Sequence, residues 1–223
     1  MIASIHQPAY IPWLGYFDKI ARSDIHIFLD DAEYSKNNLF NRNKIKTSQG
    51  EMWLTVPVQY KSDAPINQIK IDNSVNWREK HWKAISINYA RAPYFKKYSD
   101  SFKEIYSQDW EFLSDLTVEM NKNIAGLLGI KTKFVKSSDL NVEGRKNEKL
   151  INLCLAIGAD SYLSGQGAKT YMDGELFLQK NIKVQYQEFQ PFVYEQLWGK
   201  FIPNLSVIDF LFNCGGDALK NVV

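Results

Sequence analysis

The 223-residue sequence predicts an α/β fold, a mostly parallel sheet with a helical middle segment, on three observations. The chain opens on a strand, an amphipathic helix and a second strand. Residues 77–129 are mainly helical in pattern. The last third returns to alternating helix and strand signals.

Ile2–His6 reads as a short buried strand. It stops at His6-Gln7-Pro8, because proline has no N–H to give a ladder. Trp13–Ser23 reads as a helix, with Leu14, Phe17, Ile20 and Ala21 recurring at helical spacing. Asp24–Leu29 alternates and reads as a second strand. A strand, helix and strand in this order favour a parallel pair with a right-handed crossover. The polar segment 33–46 shows little helical periodicity. E-M-W-L-T-V-P-V reads as a strand, with Pro57 at an edge or an end, and Ile66–Ile71 as another short strand.

The spacing then predicts helices over Trp77–Asn88, Tyr94–Tyr106 and Asp109–Gly129, with Pro93 between the first two. Phe112, Leu116, Met120, Ile124 and Leu127 share one face of the third. Beyond them come a strand at Lys133–Val135, a helix at Asn147–Ile157 and a strand at Ser161–Leu163. A short helix at Gly174–Asn181 and a strand at Lys183–Phe189 complete the pattern. Together these make one domain over 1–223, with a Rossmann-like, mostly parallel sheet built from both ends of the chain. Ligands of such sheets sit at the carboxyl ends of the strands.

A composition of 45% hydrophobic and 23% charged residues is that of a globular protein. The net charge of +2 is too small to make nucleic acid the main partner, and no DNA binding is expected. Cys154 and Cys214 have neither disulfide-framework nor metal-ligand spacing, so they make no zinc site. Asp30-Asp31 could bind a metal, but one acid pair without partners carries little weight, and no metal site is assigned. The chain begins directly on a strand, and no apolar run approaches the ~20 residues that span a bilayer. The expectation is a cytoplasmic protein without membrane insertion.

Candidate chemistry gathers at predicted strand ends. His6 offers a general base, and Asp30 and Asp31 offer acids that could partner it. Gln7, Tyr10, Trp13 and Tyr16 follow the first strand and could hold or stack on a ligand. Asn41, Arg42 and Lys44 combine amide readers with cations suited to phosphate or carboxylate; alone, such a run is a solvated loop. His81 sits four residues after Trp77 on a helix face and reads equally as packing or function. Ser164, Gly165 and Gly167 lie in S-G-Q-G-A, where two glycines could present backbone N–H groups to an anion, with Tyr171 nearby. The loop lacks the third glycine of G-x-G-x-x-G, and a plain tight turn is the alternative. Gly15 inside the first helix reads as a packing glycine. Asp209, within V-I-D-F-L-F, must be paired if buried, and reads as a structural anchor.

H-Q-P-A-Y-I-P-W-L-G-Y-F-D-K-I, F-L-D-D-A-E-Y-S-K with N-R-N-K-I-K, W-L-T-V-P-V, Y-L-S-G-Q-G-A-K-T-Y-M-D and L-S-V-I-D-F-L-F-N-C-G-G occur in this order along the chain. Over its whole length the sequence resembles the WbqC-like protein family. The resemblance implies a place in bacterial surface-polysaccharide (O-antigen) biosynthesis, with glycyl or another amino-acyl transfer onto an aminosugar. The expected function is therefore an acyl or aminoacyl transferase acting on a nucleotide-linked aminosugar. In that scheme His6, or Asp30 with His6, deprotonates the amine. Arg42, Lys44 and the 164–168 loop hold phosphates, and Tyr10, Trp13 and Tyr16 stack on sugar or base. Acyl-CoA, acyl-adenylate and aminoacyl-tRNA all stand open as donors. A non-catalytic sugar-nucleotide-binding or assembly protein is the alternative. A nucleotidyltransferase is disfavoured, because His6-Gln7-Pro8 lacks the paired histidines of adenylyl-transferring folds.

Overall fold

Helix and strand order follows the hydrophobic pattern closely in the computed structural model, which describes residues 1–36 and 38–221. Strand β1 (Ile2–His6), helix α1 (Leu14–Ala21) and β2 (Ile25–Phe28) form the opening unit. A long excursion follows before the next strand of the main sheet. It contains hairpin β3 (Arg42–Thr47) and β4 (Gly50–Thr55), the short pair β5 (Val58–Gln59) and β6 (Lys70–Ile71), and helices α2 (Trp77–Tyr89), α3 (Phe95–Ser107) and α4 (Leu113–Leu127). The chain then adds β7 (Lys133–Lys136), α5 (Lys146–Ala156), β8 (Ser161–Ser164), α6 (Gly174–Leu178), β9 (Lys183–Tyr186) and α7 (Val207–Cys214). No helix among the described residues is long and apolar enough to cross a membrane.

The main sheet has five strands in the order β7-β2-β1-β8-β9, all parallel. Strand side chains alternate between the two faces. On β1, Ala3 and Ile5 pack with Ile151, Leu153 and Cys154 of α5 and Phe177 of α6. The opposite face carries Ser4 and, on β2, His26 and Phe28, with Phe28 stacked on Phe134. Phe17 and Ile20 of α1 join α2, α3, α4 and α7 in one apolar cluster. The sheet is thus covered on both faces, as an all-parallel sheet requires.

Several boundaries depart from the sequence reading. Arg42–Thr47, within the polar segment, is a strand. Its neighbour Asn41 and its own Asn43 are buried because their amides donate to the carbonyls of Val56 and Ile11, both at 2.8 Å. Polar residues that satisfy backbone acceptors can occupy inward positions. Asn37 of that segment lies outside the described residues. Residues 66–71 split into a 3-10 turn (Ile66–Gln68) and two strand residues. Helix α4 starts at Leu113 because Glu111 O accepts from Ile71 and Leu113 donates to Ile69, which draws 111–113 into pairing with β6. Strand β9 ends at Tyr186, and the next residue, Gln187, turns its side chain to α1.

Candidate functional site at the sheet switch point

Strands β2 and β7 lie to one side of β1, and β8 and β9 to the other. Sheet building therefore reverses direction between β1 and β8. The loops leaving such neighbours run to opposite sides and open a crevice at the carboxyl ends. Here the crevice is a cavity of about 330 Å³. His6 comes from β1, Tyr16 and Lys19 from α1, Gly165–Gly167 from the end of β8, and Gln187 from the end of β9. Trp13 and Phe189 add an aromatic wall, edge to face with ring centroids 5.4 Å apart.

His6 Nδ1 donates to the Gln7 carbonyl at 3.0 Å, so Nε2 is the acceptor nitrogen of the neutral ring. The ring stands edge-on to Tyr16, whose hydroxyl also donates to the Gln7 carbonyl. Burial first, and then Lys19, pushes the His6 pKa down to about 3. Burial likewise pushes the Tyr16 hydroxyl well above its ordinary range. Lys19 is 3% exposed, and its ammonium position has one hydrogen-bond partner, the Ile5 carbonyl at 3.3 Å. Burial lowers its pKa to about 7. The one cationic residue type in the cleft is thus held where charge is poorly solvated.

Gly165 caps the 3-10 turn at Gln166–Thr170, and Gly167 is its second residue. Neither has a positive φ, and a Cβ at either would meet nothing within 4 Å. Neither turn geometry nor packing demands glycine there. What the glycines leave is bare backbone at the cleft, whose first N–H groups are orphans of the turn's own ladder. Gln166 Nε2 donates to the Gln187 carbonyl at 2.7 Å and ties this loop to the end of β9.

The predicted residues are divided among several places. His6, Trp13, Tyr16, Gly165 and Gly167 come together in the cleft, and Gln7 supplies the carbonyl that fixes two of their rings. Ser164 is buried at the end of β8, where its carbonyl accepts from Gln187 N–H. Tyr171 is exposed and away from the cleft lining. Arg42 and Lys44 line up on β3 against Trp53, and Lys44 pairs with Glu51 at 2.5 Å. Lys44 and Trp53 border a separate groove of about 610 Å³, which shares Trp13 with the cleft.

The expected pairing of His6 with Asp30 or Asp31 is not made. Strand β2 is also bonded to β7, and the turn after β7 claims both acids. Asp30 accepts from Ser137 Oγ, Ser138 N–H and Ser138 Oγ; Asp31 accepts from Ser137 Oγ and from Lys149 Nζ at 2.7 Å. Tyr10 and His81 are also elsewhere. They form a buried relay with Tyr106, in which Tyr10 Oη lies 2.8 Å from His81 Nδ1 and 2.5 Å from Tyr106 Oη. Burial lowers the His81 pKa to about 4. Tyr10→Phe should therefore cost stability, about 1 kcal/mol, with ligand binding in the cleft unchanged. Denaturant unfolding and a binding titration on the same variant check both halves.

Lys19, Gln187 and Phe189 escaped the sequence reading, which held Gln166 only as a member of the 164–168 loop. One local signal existed for Lys19: it follows Gly15 by four and Tyr16 by three residues, on their side of α1. Gln187 had none, because its partners, the Gly15 carbonyl and Asp18 Oδ2, lie at the other end of the chain. Among the described residues no group of three or more His, Cys, Asp or Glu is placed to hold a metal ion.

The chain is 40% identical over 219 residues to the uncharacterized protein Rv1507c of Mycobacterium tuberculosis (strain ATCC 25618 / H37Rv), covering 96% of this chain and 94% of that one. No solved structure matches it. The profile of the WbqC-like protein family spans residues 7–221, from just after His6 to the end of the described chain, and the cleft falls within it apart from His6 itself. The protein belongs to the WbqC-like protein family.

Proposed function

We propose that the protein is a transferase of surface-polysaccharide biosynthesis, which adds a glycyl, other amino-acyl or other acyl group to a nucleotide-linked aminosugar. One observation carries this reading: bare backbone at Gly165–Gly167 and the Trp13/Phe189 wall line the same switch-point cleft. Backbone N–H groups suit phosphate oxygens, and aromatic faces suit a base or a sugar ring. The neutral His6 ring is a poor proton acceptor at neutral pH; its role here is to orient the amine through Nε2.

Calorimetric titration with uridine-diphosphate aminosugars, followed by mass measurement with thioester, acyl-adenylate and aminoacyl-tRNA donors, tests the proposal. The expected product is heavier by one acyl group. Trp13→Ala should weaken nucleotide-sugar binding about tenfold, the size of one lost stacking contact. Failure of every nucleotide sugar to bind would sink the proposal. Binding without turnover would favour a non-catalytic sugar-nucleotide-binding protein, a reading supported by the absence of a His6–acid pair.

A further inference from the structure

Lys19 is an amine without a counter-ion. Among the described residues it makes no ion pair, and its single hydrogen bond is to the Ile5 carbonyl. The acid next to it in sequence, Asp18, is engaged by Arg22 Nε at 2.8 Å and Gln187 Nε2 at 2.5 Å.

The groups around Lys19 offer no negative charge. From β1 it faces His6, and from β2 His26, both held neutral by burial with Lys19 as the next cause. From its own helix Tyr16 lines the cleft with its hydroxyl protonated. The cleft residues after β8 and β9, including Gln166 and Gln187, are uncharged. The tautomer of His26 can be read from its neighbours. Ser23 Oγ donates to the Ile20 carbonyl, so Ser4 Oγ donates to Ser23 Oγ, and His26 Nδ1–H donates to Ser4 Oγ. This leaves His26 Nε2 as a buried acceptor without a partner.

We propose that Lys19 is the general base of this cleft, taking a proton from the ammonium of the bound aminosugar. The inference rests on the transferase reading above and names the residue that performs its proton transfer. The substrate ammonium gives one proton to Lys19 Nζ and becomes a free amine. Its lone pair attacks the carbonyl carbon of the activated acyl donor and forms the C–N bond. The bond from that carbon to the leaving group breaks, and the leaving group takes its electron pair and the second nitrogen-bound proton. Lys19 then returns its proton to solvent. A pKa of about 7 lets the side chain cycle between both states at neutral pH.

Two measurements test this. Lys19→Met keeps the length and the apolar stem, and should lower kcat by about 100-fold with KM for the nucleotide sugar little changed. Lys19→Arg stays charged and should be equally inactive. Independently, trinitrobenzenesulfonate labelling across pH, read by peptide mass spectrometry, should show Lys19 reacting with a midpoint near 7. Surface lysines should show midpoints near the ordinary value of about 10.4. A Lys19 midpoint among the surface lysines, or wild-type turnover in Lys19→Met, overturns the inference while leaving the transferase reading standing. A wild-type protein that turns over no donor overturns the transferase reading and the base role together, even where Lys19 titrates near 7.

Discussion

Asp209→Ala is expected to destabilise the protein by about 3 kcal/mol, because it strands the buried Tyr89 hydroxyl and the half-buried Tyr194 hydroxyl and empties a carboxylate site. Asp209 lies on α7 with no exposure. Its Oδ1 accepts from Tyr89 Oη at 2.8 Å, and its Oδ2 from Tyr194 Oη at 2.9 Å. Tyr89 Oη in turn accepts the backbone N–H of Lys46 at 2.9 Å. One carboxylate therefore joins α7, α2, β3 and the segment after β9. Urea unfolding of the variant measures the loss; a change within about 0.5 kcal/mol, typical of a surface substitution, would refute the anchor.

The same site makes a pH prediction. Burial raises the Asp209 pKa, opposed by the two tyrosine hydrogen bonds and by Lys46. A folded pKa above the unfolded one means that the folded state binds the proton more tightly. The resulting stabilisation is complete below the unfolded pKa and is lost as pH rises through the folded one. Asp209→Asn does not titrate. Its stability deficit against wild type should shrink from about pH 4 upward and level off above the folded pKa. A deficit that grows over that window would reverse the sign of the argument. The consequences reach the cleft, since Tyr194 belongs to the same segment as Gln187 and Phe189.

Gly15→Ala is the second large effect. A Cβ on Gly15 would stand 2.3 Å from Trp13 Cη2 and 2.6 Å from both Cζ2 and Cζ3. The glycine is required by the indole laid across it. Alanine gains up to about 1 kcal/mol of helix propensity, while overpacking costs about 1–3 kcal/mol. The indole escapes by leaving the wall of the cleft. Net stability should fall by about 1 kcal/mol, and nucleotide-sugar Kd should rise about tenfold, as in Trp13→Ala. A double-mutant cycle is diagnostic. With Trp13→Ala already present, the clash is gone, and Gly15→Ala should stabilise by up to about 1 kcal/mol. A destabilising Gly15→Ala in both backgrounds would assign the glycine to something other than Trp13.

The opening unit was legible because its code is local: alternation in Ile2–His6, and the 3–4 spacing of Leu14, Phe17 and Ile20. Gly15 as a packing glycine and Asp209 as an anchor followed from the cost of each residue in its setting. Strand β3 was not legible, although its partner β4 was read in E-M-W-L-T-V-P-V. Asn41, Asn43 and Lys46 are inward despite their polarity, and their acceptors (Val56, Ile11 and the Gln196–Lys200 region) are distant in sequence. The His6–Asp30 pairing was expected because both residues end neighbouring strands. The sequence could not say that β2 has a second neighbour, whose following serines satisfy Asp30 three times over. Lys19 was hidden for a related reason, since burial of a lysine becomes visible only when the walls around it are known.

The placement of β1 at the centre of the sheet has a kinetic consequence. Ile2 pairs with Ser161 on one side and Ala3 with Ile25 on the other. One edge of β1 can close as soon as β2 leaves the ribosome. The other must wait for β8, after the whole excursion between β2 and β7 has been synthesised. Such late, sequence-distant pairings slow folding, and an unpaired apolar strand edge invites association in the meantime. The candidate crevice, which also takes Gln187 and Phe189 from beyond β9, is therefore completed only after the last strand of the sheet has been made.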